Sequence, residues 1–359
     1  MCITLNSLTH SLPGDNHCDK LDLKKSERGI YMKERNESLD CLKGIAILLV
    51  MFGHVQVHNH MTDPYLYDVI KSIQMPLFFL VSGYLAGKGT KIQSVEQFCA
   101  RMKKRAVAYL LPFFSWLVLQ HLTYVPRALK TVLFQLDYGL WFLMTLFLFT
   151  LLAYVAQLLQ NLWGRGKEMV FWVIWFLGCG GILAAYLTGV TFLSPSILVI
   201  YLPYYTVAYF VGMHEELVEK YVPVRLQRWT AWIGGIVFLM MAVKLDLVTV
   251  TGIVMLGVQT IASFLGCFWL IRAVLDWKDC RAKQKLAQLG LYTLEIYVLH
   301  YQFAKVLNPE GIIYTFWSME GLLYAGAVFV VMSAITAVLI YIIDHAGILR
   351  LFLFGKYKK

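Results

Sequence analysis

Long apolar stretches, separated by short polar and basic ones, recur from about residue 39 almost to the carboxyl terminus. Ten of them reach or approach the roughly 17–25 residues that cross a hydrocarbon core about 30 Å thick as a helix. They are 39–57, 67–87, 106–124, 139–160, 168–189, 196–213, 228–244, 249–276, 288–306 and 321–343. Continuous runs, rather than strict alternation, argue against a β-barrel and leave the helix as the way to satisfy the backbone in lipid. The predicted fold is an all-α polytopic membrane helix bundle of about ten transmembrane helices. The weakest patterns are 196–213, interrupted by Pro203, and 228–244, which is short.

Charge adds an orientation. If the first span runs outward, Lys71, Arg127, Lys130, Lys244 and Lys305 face outside, Lys43 lies within the membrane, and the rest of the 32 Lys and Arg fall on the opposite side. Lys/Arg excess marks cytoplasmic loops, so both termini are expected in the cytoplasm and the chain in the cell membrane. This topology accounts for the net charge of +10 without a nucleic-acid partner. A hydrophobic share of 59% excludes a soluble α/β domain. Residues 1–34 are polar and lack the apolar core of a signal peptide. They are expected to be a disordered cytoplasmic extension, or, for 1–31, the product of a start assigned upstream of Met32. Residues 35–350 form the transmembrane domain and 351–359 a basic cytoplasmic tail. The seven cysteines include no Cys-x-x-Cys pair and fall mainly in the membrane or on the inner side, against a disulfide framework or structural zinc.

Polar groups inside such spans are costly unless they pair or line a cavity, so they are the candidates for chemistry. In the first span, Asp40 precedes Lys43 by three positions and can pair with it on one face. His54 follows Lys43 by eleven residues, about 16 Å further along the helix. Asp40 and Lys43 also fit a plain interfacial pair with a snorkelling lysine. His54, near the outer end, suits a general base for a hydroxyl arriving from outside. His58 and His60 lie nearby, but no carboxylate stands in the zincin position and no metal is predicted.

The ninth span carries Glu295 and His300, placed by depth to neutralise Lys43 or orient an imidazole, or to serve as structural interhelix bonds. In the second span Gln74 precedes Pro76, which removes a backbone hydrogen bond and should kink the helix. Ser82-Gly83 permits close helix approach, and Ser82 has no base beside it for covalent catalysis. The inner loop contributes Arg101, Lys104 and Arg105, a cluster that fits a nucleotide's phosphates or, more plainly, the positive-inside rule and anionic lipid.

Taken in order, four stretches resemble the acyltransferase-3 family of integral membrane acyltransferases, over about residues 35–345. They are Arg35 with Leu39-Asp40, Lys43-Gly44-Ile45-Ala46 and Gly53-His54; Met75-Pro76-Leu77-Phe78-Phe79 with Ser82-Gly83-Tyr84; Leu140-Trp141-Phe142-Leu143; and Leu294-Glu295-Ile296-Tyr297 with His300. The chain departs from the family pattern at Lys43, often Arg, at Gln74, often His, and at Ala108, where a second arginine is usual. The resemblance implies transfer of an acyl group, usually acetyl, from cytoplasmic acyl-CoA to a hydroxyl of a glycan or other acceptor. On that footing His54, Lys43 and Glu295 would be catalytic. Arg101, Lys104 and Arg105 would hold the donor, and Asp40, Gln74, Ser82, Trp141 and His300 would line the path between donor and acceptor. The run ends soon after the tenth span, so a self-contained transferase is expected. Two alternatives stay open: a transporter or flippase moving a glycan intermediate without chemistry, and acyl transfer to a small molecule.

Overall fold

The computed structural model describes residues 36–61, 63–164, 167–249, 252–307 and 315–357. The amino-terminal extension and Arg35 lie outside the described residues. Among the described residues the chain is helical throughout: α1 Glu37–His58, α2 Pro64–Gly87, α3 Val95–Gln120, α4 Val125–Phe134, α5 Trp141–Gly164, α6 Glu168–Leu187 and α7 Pro195–Met213. These are followed by α8 Glu215–Tyr221, α9 Val224–Lys244, α10 Ile253–Asp276, α11 Arg281–Leu289, α12 Thr293–Leu299, α13 Met319–His345 and α14 Gly347–Phe354.

Eight of these helices, α1, α2, α5, α6, α7, α9, α10 and α13, are long and apolar enough to cross a membrane. Each coincides with one of the ten predicted spans, including 196–213, where Pro203 sits inside α7. The chain is a multi-pass membrane helix bundle. The remaining two spans take other forms. Predicted span 106–124 is the apolar second half of α3, a helix whose first half carries Arg101, Lys103, Lys104 and Arg105.

Predicted span 288–306 is not a single membrane helix. It is broken into the end of α11, a turn, α12 and a short 3₁₀ stretch, His300–Phe303. From residue 293 to 303 the helical length is under about 20 Å, short of a bilayer core of about 30 Å. The segment tolerates this because protein, not lipid, surrounds it: Glu295, Ile296, Val298, Leu299 and His300 are all buried.

Two close approaches set the geometry. Gly83 and Gly87 of α2 lie against the carbonyls of Tyr205 and Tyr209, and Gly212 of α7 lies against that of Tyr84. A Cβ at any of the three would collide with backbone, so small residues let α2 and α7 run side by side in parallel. Likewise Gly44 of α1 meets the Leu286 carbonyl, and Gly290 meets that of Asp40. The turn after α11 is thereby pinned at the level of Asp40, from where α12 rises beside α1.

Residues 351–357, set apart by sequence as a tail, are packed into the bundle. The Trp116 indole N–H donates to the Leu353 carbonyl at 3.0 Å, Phe354 is fully buried, and Lys356 pairs with Glu295.

Candidate active site

The site begins with two histidines brought together from opposite ends of the sequence. His54, on the last turns of α1, has its Nδ1 at 3.0 Å from the Nε2 of His300. The rings lie within 13° of parallel, their centroids 5.0 Å apart. His300 Nδ1 in turn lies 2.7 Å from the Ile296 carbonyl. A carbonyl only accepts, so His300 Nδ1 carries a proton and donates it. In a neutral His300 the other nitrogen, Nε2, is then an acceptor, and His54 Nδ1–H donates to it. The chain of bonds leaves His54 Nε2 as a bare lone pair. His58 and Tyr301 pack edge-on against the His54 ring at centroid distances of 5.7 and 5.2 Å.

The neighbouring backbone is stapled by Asn59, which is fully buried. Its amide donates to the carbonyls of Val55 and Ala304, both at 2.8 Å, and its oxygen accepts from the Tyr324 hydroxyl at 2.9 Å. This one side chain ties the end of α1 to the segment after His300 and to α13.

His54 opens onto a cavity of about 350 Å³. Aromatic walls come from Trp141 and Tyr201, whose rings stack at 5.0 Å, with Tyr297 and Tyr67 completing them. Polar groups come from Lys71 and Gln74 of α2 and from Gln259 and Ser263 of α10. The Gln259 amide is oriented without ambiguity: its Nε2 donates to the Leu247 carbonyl at 2.7 Å, leaving Oε1 buried and without a hydrogen-bond partner. The Oε1 of Gln74 is likewise buried and unpartnered.

Leu247 is held for this task by its loop. Its N–H donates to Asp68 at 2.9 Å, and Asp246 accepts from the N–H groups of Thr249 and Val248. Those backbone donors, Thr249 foremost, hold the Asp246 carboxyl below the ordinary aspartate range.

Of the residues expected from sequence, His54, Gln74 and Trp141 line this cavity, and His300 stands directly behind His54. The others are placed elsewhere. Lys43 pairs with Asp40 at 2.5 Å. Glu295 was expected to face Lys43 or an imidazole. Instead it is 1% exposed and pairs with Lys356, because the docked carboxyl-terminal segment reaches it. Its second oxygen is buried without a hydrogen-bond partner.

Ser82 and Asp40 do not line the cavity. Ser82 directly precedes Gly83, which packs against α7. The basic cluster does not converge: Arg101 bonds the Thr90 carbonyl, Lys104 is exposed, and Arg105 donates to the hydroxyls of Tyr154 and Tyr109 at 3.3 and 3.2 Å. Among the described residues, no group of three or more His, Cys, Asp or Glu side chains is disposed to hold a metal ion.

Lys71, Gln259 and Ser263 were missed by sequence. Lys71 was counted as an outer-side charge, although it lies three positions before Gln74 and so on the same helix face. Gln259 and Ser263, four apart in an otherwise apolar span, were a legible signal of a polar stripe.

A family profile described as an acyltransferase domain matches residues 36–342. The chain belongs to the acyltransferase-3 family. Its class is therefore that of membrane acyltransferases, and His54 and His300, two of the residues on which the sequence resemblance was read, are joined by the fold. The nodulation protein NolL of Sinorhizobium fredii is 37% identical over 92 residues, 24% of each chain. The chain thus matches about a quarter of that relative's length. No solved structure matches.

Proposed function

We propose that this membrane acyltransferase moves an acetyl group from cytoplasmic acetyl-CoA to a hydroxyl of a cell-surface or exported glycan, at the cell membrane. The observation that carries the reading is the His54–His300–Ile296 chain of hydrogen bonds, which leaves one imidazole nitrogen bare on a residue that lines a cavity of aromatic and polar side chains. Such a cavity suits a polyhydroxylated ring. Apolar sugar faces stack on Trp141 and Tyr201, while hydroxyls bond the polar side chains of the wall.

In the reaction, His54 Nε2 takes the acceptor hydroxyl's proton as that oxygen attacks the thioester carbonyl. The tetrahedral intermediate then expels the CoA thiolate, which is protonated to free CoA, and the ester is formed. His300 stabilises the cation that develops on His54 by keeping an acceptor at its Nδ1. The donor would enter from the side that the positive-inside rule makes cytoplasmic, where the exposed Lys103 and Lys104 lie.

The test uses membranes containing the full chain, labelled acetyl-CoA and recovered glycan. His54→Ala should lower transfer by about 10²- to 10⁴-fold, the usual contribution of a general base. Transfer unchanged in that variant removes His54 from the mechanism. Glycan movement independent of acetyl-CoA, with no acetylated product, replaces the enzyme reading with a transporter.

A further inference from the structure

The cavity holds a charge that the reaction above does not use. Tyr67, Lys71 and Gln74 follow one another at helical spacing along α2 and all line the cavity. Their level is set by α1: a Cβ on Gly53 would meet Ile70 at 3.4 Å and Gln74 at 3.1 Å, which puts Lys71 beside the His54 end of α1. The Lys71 ammonium sits 5.7 Å from the centre of the Tyr67 ring and forms no ion pair among the described residues. Asp68, one turn before it, accepts the Leu247 N–H at 2.9 Å and acts on Lys71 electrostatically without closing to an ion pair. Asp137 also lines the cavity but is exposed and makes no bond to Lys71.

A cation lining a membrane-embedded cavity is costly even with a carboxylate one turn away, and such charges mark ligand paths. Gln74, Gln259 and Ser263 line the same cavity and give its wall polar side chains beside the aromatic ones. A ring bearing hydroxyls and a negative charge suits such a wall with a cation in it. We infer that the acceptor is an anionic sugar, whose carboxylate or phosphate is met by Lys71. This rests on the acyl-transfer reading and narrows its substrate class. Lys71 is then a specificity-determining residue. A lysine that merely snorkelled to the outer water would be indifferent to the acceptor's charge.

The experiment supplies labelled acetyl-CoA to membranes holding the full chain, with the host's own glycan fragments as acceptors. The fragments are offered untreated, after reduction of their carboxylates to alcohols, and after phosphatase treatment. Wild-type label should appear in the fraction retained by an anion exchanger. Carboxyl reduction abolishes it if the group is a carboxylate, and phosphatase abolishes it if the group is a phosphate.

Lys71→Met should raise the KM for the acidic acceptor by about 10- to 100-fold, as for loss of a charge-assisted hydrogen bond, with kcat little changed. Lys71→Arg should recover most of the affinity and shows that the variant site still folds. Label in the neutral fraction overturns the inference. So does a Lys71→Met defect that falls on kcat, equally for charged and neutral acceptors, because it makes Lys71 part of the chemistry instead. Absence of label in every fraction with wild type removes acyl transfer itself, a separate result from loss of charge preference.

Discussion

His300 is held at both ring nitrogens, by a backbone carbonyl on one side and His54 on the other. Its side chain therefore transmits a backbone position to the base. The consequence can be tested by swapping the acceptor. His300→Gln can still offer an oxygen to His54 Nδ1–H, whereas His300→Leu cannot. His300→Gln should retain more transfer than His300→Leu, with the loss in kcat and little in acceptor KM. The acid limb of the pH profile should shift in His300→Leu, since protonation of His54 removes the lone pair that accepts the proton. Equal losses in both variants, confined to KM, would make His300 a packing support for the cavity only.

Sequence pointed to both histidines because polar residues in apolar runs stand out. It misjudged Glu295, whose partner, Lys356, lies 61 positions away on a segment that reads as a plain tail. It also passed over Lys71, because a lysine near a span end satisfies topology and chemistry alike.

At the scale of helices, the contact between α2 and α7 depends on three glycines, each facing a carbonyl. Gly83→Val or Gly212→Val forces a branched side chain into backbone that cannot yield, a repacking cost of about 1–3 kcal/mol or more. Each variant should lower the melting temperature of the detergent-purified protein, with activity lost alongside folding. Gly180→Ala, where a Cβ meets nothing within 4 Å, is the control and should melt as wild type. The eight apolar helices were legible to within a few residues because lipid selects for length and hydropathy alone. The segment 288–303 was not, since its buried part, Glu295 to His300, is free of the length rule and the helix can break at Gly290 where α1 passes closely.

For the whole molecule, orientation is the property that charge predicts and a probe can read. Cys99 and Cys280 are free and exposed, and the positive-inside rule puts both on the cytoplasmic side. In intact cells a membrane-impermeant maleimide should leave both unlabelled, and permeabilisation should expose them. Labelling of either from outside would reverse the assignment and with it the side from which the donor enters.

The sequence by itself determined that this chain lives in a bilayer as a helical bundle and the family to which it belongs, and it singled out His54 and His300 as polar residues in apolar runs. These follow from one-dimensional quantities, namely the lengths of apolar runs and the rarity of polar groups within them. Only the tertiary structure decided which polar groups meet. It joined residues 246 positions apart into one hydrogen-bonded pair, closed Glu295 with Lys356, and placed Lys71 on the wall of the cavity that His54 lines. The physical reason is that hydrogen bonds and ion pairs act over a few ångströms, a distance that helix packing sets and sequence spacing does not.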